Sequence, residues 1–175
     1  MPNRAWEPLR IKKQDPLEMV AAALKEFAER GVFRGFSADP RRRATGTKAK
    51  FKMLWHRDRN FELIADSKEG TLQFPMVLPA VPVRSAMYKD FKDWAAARQD
   101  SALPGHRRID AKKCMLACTN KKGDAGVILT CLDGDWEYAT RKLITLVHET
   151  YLVFLNDGRY YEYMLDVFDL DPDHM

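Results

Sequence analysis

Apolar residues recur along this chain with two periods, and the switches between them mark out its elements. Leu17, Val20, Leu24 and Phe27 form one stripe at helical spacing, with Glu18, Lys25, Glu26 and Glu29 elsewhere on the wheel. Asp15 suits the N-cap, Pro16 the first helical position, and Glu18 completes a capping-box spacing. Gly31 stands where a left-handed residue closes a helix, with Val32 placed to touch Phe27. Val32 to Thr47, rich in Arg, Gly and small side chains, reads as a loop. The period then falls to two. Lys50–His56 puts Phe51, Met53 and Trp55 on one face, with Lys50, Lys52, Leu54 and His56 on the other.

Phe61–Asp66 and Thr71–Val77 follow as strands across turn-like Arg57-Asp58-Arg59-Asn60 and Lys68-Glu69-Gly70. Pro75, Pro79 and Pro82 have no N–H for a ladder, so the third run is expected to end early or to lie at a sheet edge. Ser85 caps a helix whose apolar face is Met87, Phe91, Trp94 and Ala95, ending before Pro104. Lys112–Thr119 and Gly126–Leu132 read as strands joined by a turn around Lys121-Lys122-Gly123-Asp124. Asp133-Gly134-Asp135 opens a long helix to about Asn156, where the acids favour the positive end of the dipole. Its inward face is Trp136, Leu143, Ile144, Val147, Tyr151, Phe154 and Leu155, and its polar side holds Arg141, Thr145, His148 and Glu149. Leu152 falls within the polar stripe. Asn156-Asp157-Gly158 stops the helix, and a short terminal one follows with Tyr160, Tyr163, Met164, Val167 and Phe168 on one face, folding back over Leu152.

The order α-β-β-β-α-β-β-α-α predicts one α+β domain over residues 1–175, with a five-stranded, mainly antiparallel sheet, helices packed on it, and irregular tails at 1–14 and 170–175. Over roughly residues 15–156 this order resembles the type III secretion chaperone fold. The resemblance implies helices covering one face of a twisted antiparallel sheet. The charge balance departs from that family, whose members are typically small and acidic. A shared fold does not assign a role.

With 46% hydrophobic residues and only nine glycines and nine prolines in 175, the chain is neither disordered nor fibrous. No apolar run approaches the ~18 residues of a membrane span. The first thirteen residues carry charge without an apolar stretch, unlike a secretory signal. Three cysteines then point to a reducing compartment. A cytoplasmic protein without membrane contact is the expectation.

Charge is uneven. Residues 1–60 hold 15 Lys and Arg against 7 Asp and Glu, and six of the cations lie between Arg41 and Lys52 with no acid among them. The last nineteen residues hold six acids and one Arg. Arg41, Arg42, Arg43, Lys48, Lys50 and Lys52 form a candidate phosphate-binding segment, with Phe51 and Trp55 available to stack on unpaired bases.

Candidate chemistry is thin. His148-Glu149 opens like a zincin helix, but the second histidine position holds Leu152. Asp169-Leu170-Asp171-Pro172-Asp173 has the alternating acids of a calcium loop without its glycine or its bidentate Glu. A turn centred between Lys122 and Gly123 sets Cys114 opposite Cys131, with Cys118 on the same face as Cys114, yet no histidine lies within either strand. The four histidines are scattered, and no nucleophile elbow, phosphate loop or dinucleotide fingerprint occurs. No catalytic residue, metal or cofactor is therefore assigned.

Tyr151, Tyr160, Tyr161, Tyr163 and Phe168 cluster near the C-terminus, and tyrosine suits interfaces by joining apolar area to a hydrogen-bonding tip. Leu152, Tyr160, Tyr161 and Leu165, with the apolar stretch Phe74 to Val83, are expected to meet a partner. The sequence thus predicts a non-enzymatic binding protein that engages a protein partner or a second copy of itself. A nucleic-acid-binding module using Arg41–Lys52 is the alternative, and an enzyme of unknown class comes third.

Overall fold

The best-punctuated helix forms as its caps dictate. In α1 (Pro16–Glu29) the Asp15 carboxylate accepts the Leu17 N–H at 3.1 Å. At the other end Gly31 adopts φ 76°, and the N–H groups of Gly31 and Val32 return to the Ala28 and Phe27 carbonyls. Leu17, Val20 and Leu24 are wholly buried, each worth about 2 kcal/mol in apolar transfer. The protein is described from a computed structural model over residues 14–39 and 46–169. The tails expected at 1–14 (Gln14 apart) and 170–175, together with Arg41, Arg42 and Arg43, lie outside the described residues.

Six strands, not five, build one antiparallel sheet: β1 (Arg34–Ala38), β2 (Lys48–Trp55), β3 (Arg59–Asp66), β4 (Thr71–Leu78), β5 (Cys114–Lys121) and β6 (Asp124–Cys131), in the order β1-β2-β3-β4-β6-β5. The additional strand is β1, inside the segment that reads as a loop. It lies at a sheet edge, its side chains are exposed except for half-buried Phe36, and its register shifts between Arg34 and Ser37, where Gly35 takes φ 58°. A short, polar, bulged strand leaves no alternation to read.

The Pro-containing run is also placed differently. β4 sits inside the sheet between β3 and β6. Its pairing with β3 covers Thr71, Leu72 and Gln73, stopping before Pro75, and its register against β6 shifts between Phe74 and Leu78. The missing N–H of Pro75 thus falls in a bulge where no ladder bond is demanded. Gly126 faces that bulge so closely that a Cβ there would lie 2.4 Å from the Phe74 carbonyl oxygen and 2.5 Å from that of Pro75.

Phe51, Met53, Trp55, Leu63, Phe74, Val127 and Leu129 point to one side of the sheet and are buried there with α1, α2 (Ala86–Ala96) and α3 (Trp136–Glu149). The opposite side carries exposed Lys48, Lys50 and Lys52 and half-buried Leu54. The helices pack on the side where these apolar residues lie. A last helix, α4 (Tyr161–Phe168), closes the described fold. Among the described residues no helix is long and apolar enough to cross a membrane.

Candidate ligand-binding cleft

Trp55 ends β2 and Arg59 begins β3, paired across the hairpin, so three residues make the turn. All three are left-handed: His56 at φ 46°, Arg57 at 67° and Asp58 at 58°. Each non-glycine residue in that region costs about 1–2 kcal/mol, although His and Asp tolerate it better than most. Arg34 of β1 holds the turn, its Nε donating to Asp58 at 3.1 Å within an ion pair. The reversal breaks the two-residue alternation, so His56 does not join Lys50 and Lys52 on the outer face. Its ring lies on the helix side, stacked 4.5 Å from Trp55 and 4.0 Å from Tyr151.

Tyr151 stacks on His56 from the irregular end of α3. Thr150–Phe154 forms a π-helical turn in which the Leu155 N–H returns to the Thr150 carbonyl, and a 3₁₀ turn over Leu155–Asp157 leads to Gly158 at φ 81°. Phe154 and Leu155 are buried, Tyr151 points at the hairpin, and Leu152 is left 56% exposed, not covered by α4 as its position suggested. The Tyr151 hydroxyl donates to the Val77 carbonyl (2.5 Å) and the Tyr163 hydroxyl to that of Pro79 (2.6 Å), tying the C-terminal segment to the end of β4.

Between the hairpin turn, the π-helical turn and α4 lies a cleft of about 490 Å³, lined by His56, Arg57, Arg59, Tyr151, Leu152 and Asn156, with Met164, Val167 and Phe168 from α4. That size falls within the range of small-molecule sites. Among the described residues no carboxylate lines it. Burial, reinforced by the nearby His148, drops the His56 imidazole to about 4, so it is neutral at pH 7. Its buried Nε2 has no hydrogen-bond partner among the described residues. Burial likewise raises the Tyr151 and Tyr163 phenols, which stay protonated. Charge in the cleft therefore comes from two arginines. Arg59 is half-buried with its guanidinium carbon 4.0 Å from the Phe168 ring centroid, and Arg57 is exposed. Neither makes an ion pair among the described residues, because Asp58 between them is engaged by Arg34.

The residues singled out in the sequence fall in three places. Leu152, at 56% exposed, lines the cleft, and Tyr161 is 48% exposed at the start of α4, where Leu165 is half-buried. Tyr160 is not a surface residue: it is 6% exposed, stacks 4.7 Å from Phe154 and donates its hydroxyl to Asp90 at 2.6 Å. A tyrosine at the mouth of a helix reads as interface in sequence, but here its tip finds an internal acceptor. Lys48 and Lys50 stand on the outer face of β2 within 3.6 Å of Asp66 and Glu62, respectively, of β3, and Lys52 makes no ion pair among the described residues.

The remaining candidates resolve into packing. Cys114 and Cys131 are register partners, as the turn arithmetic requires, and burial pushes the Cys114 thiol up to about 12. Among the described residues no group of three His, Cys, Asp or Glu side chains is placed to hold a metal ion. Glu149 does not lie on a solvated helix face. It accepts from Arg98 (3.3 Å) and Arg107 (3.1 Å), which fastens the segment after α2 to α3. His148 is exposed, its ring parallel to that of Trp55. Sequence reasoning missed the cleft because its walls come from a turn, a π-helical insertion and a short helix distant along the chain. The available signal was Leu152, an apolar residue out of phase.

No family model matches the chain, and neither curated proteins nor solved structures give a significant match. The functional reading rests on the site itself.

Proposed function

We propose that this chain is a non-enzymatic binding protein of the cytoplasm whose site is the cleft between the β2–β3 turn, the π-helical turn and α4. The observation that carries the reading is the concavity of about 490 Å³, walled by Leu152, Met164, Val167 and Phe168 over an aromatic floor. Among the described residues its lining holds no nucleophile beside a base and no pair of carboxylates, the arrangements that acyl transfer or general acid–base chemistry need.

The concavity favours a compact ligand over a second protein. Among the described residues the exposed large apolar side chains in and next to the cleft-lining segments are Leu152, Val153 and Tyr161, too few to make the apolar centre of a standard protein interface by themselves. A ligand enclosed by the cleft uses the concavity, which a flat protein contact would not. Nucleic-acid binding is less well supported, since Lys48 and Lys50 are already neutralised by acids on the same face.

Titration with N-phenyl-1-naphthylamine, a neutral apolar fluorophore that brightens out of water, tests the reading. Saturable one-to-one binding is expected, weakened at least about tenfold by Val167→Trp, which fills the cleft, with the unfolding temperature little changed. Failure to bind, or equal binding by a folded Val167→Trp protein, would overturn it.

A further inference from the structure

We propose that the ligand of this cleft is an amphipathic anion, with an acidic head group held by Arg59 and Arg57 and an alkyl or aryl body packed against Leu152, Met164, Val167 and Phe168. This inference rests on the cleft being the binding site and adds the chemistry it selects.

Arg34, Arg98, Arg107, Arg141 and Arg159 each have a carboxylate partner, to Asp58, Glu149, Glu149, Glu26 and Asp157 respectively. Arg108, half-buried without a carboxylate, donates instead to the Ser101 carbonyl. Arg59 is half-buried, where a guanidinium loses part of its hydration, and among the described residues its N–H groups have neither kind of acceptor. A buried or half-buried charge is ordinarily compensated by a counter-charge. The ring of Phe168 supplies a weak cation–π contact to one face of the guanidinium and leaves its N–H groups unused by any carboxylate. Those donors form a planar fork suited to the two oxygens of an acid head.

The surroundings reinforce the sign of the preference. Asp58, the acid nearest in sequence to both arginines, is drawn away by Arg34 and so does not neutralise them. Among the described residues no Asp or Glu lines the cleft, His56 is uncharged, and Tyr151 and Tyr163 have hydroxyls already committed to backbone carbonyls. An anion entering meets positive charge at the mouth and apolar side chains within. A cation would meet two guanidinium groups and no acceptor of opposite charge. Asn156 lies in the lining as a neutral partner for a second oxygen. Met164 supplies an unbranched, adaptable wall for a body of variable shape.

The test uses the full chain with N-phenyl-1-naphthylamine bound and measures its displacement, below micelle-forming concentrations, by four dodecyl compounds: dodecanoate, dodecyl phosphate, dodecan-1-ol and dodecyltrimethylammonium. One of the two acids is expected to displace the dye at a concentration about tenfold or more below the alcohol, and the ammonium compound to be weakest. Which acid is stronger identifies the head as a carboxylate or a phosphate ester. Arg59→Gln is expected to bring acid and alcohol to parity while leaving binding of the neutral dye within about twofold, and Arg57→Gln to lower the acid preference by a smaller factor. Lys52→Gln, on the outer face of β2, is expected to change neither. If the dye binds but acids and alcohol compete equally, or if Arg59→Gln keeps the acid preference, this inference falls and the cleft still stands as a binding site. If the dye does not bind at all, both fall.

Discussion

The neutral imidazole of His56 makes the stability of this protein depend on pH in a defined window. Burial and the nearby His148 lower His56 from an ordinary value of 6.5 to about 4. His148 faces it from α3, Tyr151 from the π-helical turn, and Trp55 and Phe61 from the strands, with the guanidinium groups of Arg57 and Arg59 in the same lining. None of these offers an anion, so nothing compensates a proton on the ring. Above about pH 6.5 the residue is neutral in both folded and unfolded chains and contributes no pH dependence. As pH falls from 6.5 to 4 the unfolded chain takes up a proton that the folded one refuses, and stability is lost. Below 4 both are protonated and the loss stops growing. The full difference corresponds to about 3 kcal/mol at 1.36 kcal/mol per pH unit. The residue is half-buried, and partial solvent screening reduces the effect to about 2 kcal/mol.

Comparison with His56→Phe isolates this term. Phenylalanine keeps a flat ring for the stack and does not titrate. It also removes the unpartnered Nε2 and tolerates positive φ less well, but both effects are independent of pH and cancel in the comparison. Urea unfolding of the two proteins at intervals from pH 7 to pH 4 should show the wild type losing about 2 kcal/mol more than the variant, with half of that loss complete near pH 5. Carboxylates that titrate in the same range contribute equally to both. Identical pH profiles would refute the reasoning and place His56 in contact with an acceptor or with water.

Two further perturbations probe the frame that holds the cleft. Gly126→Ala drives a methyl carbon to within 2.4 and 2.5 Å of two β4 carbonyl oxygens, so the bulge around Pro75 must move. Overpacking of this kind should cost about 3 kcal/mol, read as a fall of about 6–12 °C in the unfolding midpoint, and a fall below 2 °C would show the bulge to be compliant. Glu149→Gln leaves Arg98, only 8% exposed, without its counter-charge. A loss of about 3 kcal/mol in chemical unfolding is expected, and restoration by the added change Arg98→Met would tie the loss to the stranded guanidinium.

The elements visible in the sequence are those whose information is local. α1 could be read from Asp15 to Gly31 because cap, stripe and closure all lie within one short segment, and the β5–β6 register followed from the position of its turn. β1 was hidden because an edge strand with exposed side chains has no face to alternate. β4 was misplaced because the rule against proline in a sheet holds for ladder positions, and the exemption comes from Gly126 on β6, fifty-one residues downstream. The site was less legible than the fold. His56 was assigned to the wrong face because three left-handed residues reset the alternation, and Tyr160 to the surface because its acceptor, Asp90, lies on a distant helix. Leu152 was seen as an apolar residue on the polar side, but the π-helical turn that holds it is a hydrogen-bonding choice of the backbone that no side-chain pattern reports.

The π-helical turn carries one residue more than ordinary helical bonding over the same stretch would hold. Removing one residue between Thr150 and Phe154 would let that bonding run through and leave Leu155 and α4 close to their places. Forcing it at unchanged length would instead turn everything beyond by about 100° and push it out by about 1.5 Å, swinging Met164, Val167 and Phe168 away from Arg59. The wall beside Arg59 thus depends on a backbone bonding pattern as much as on the side chains that form it.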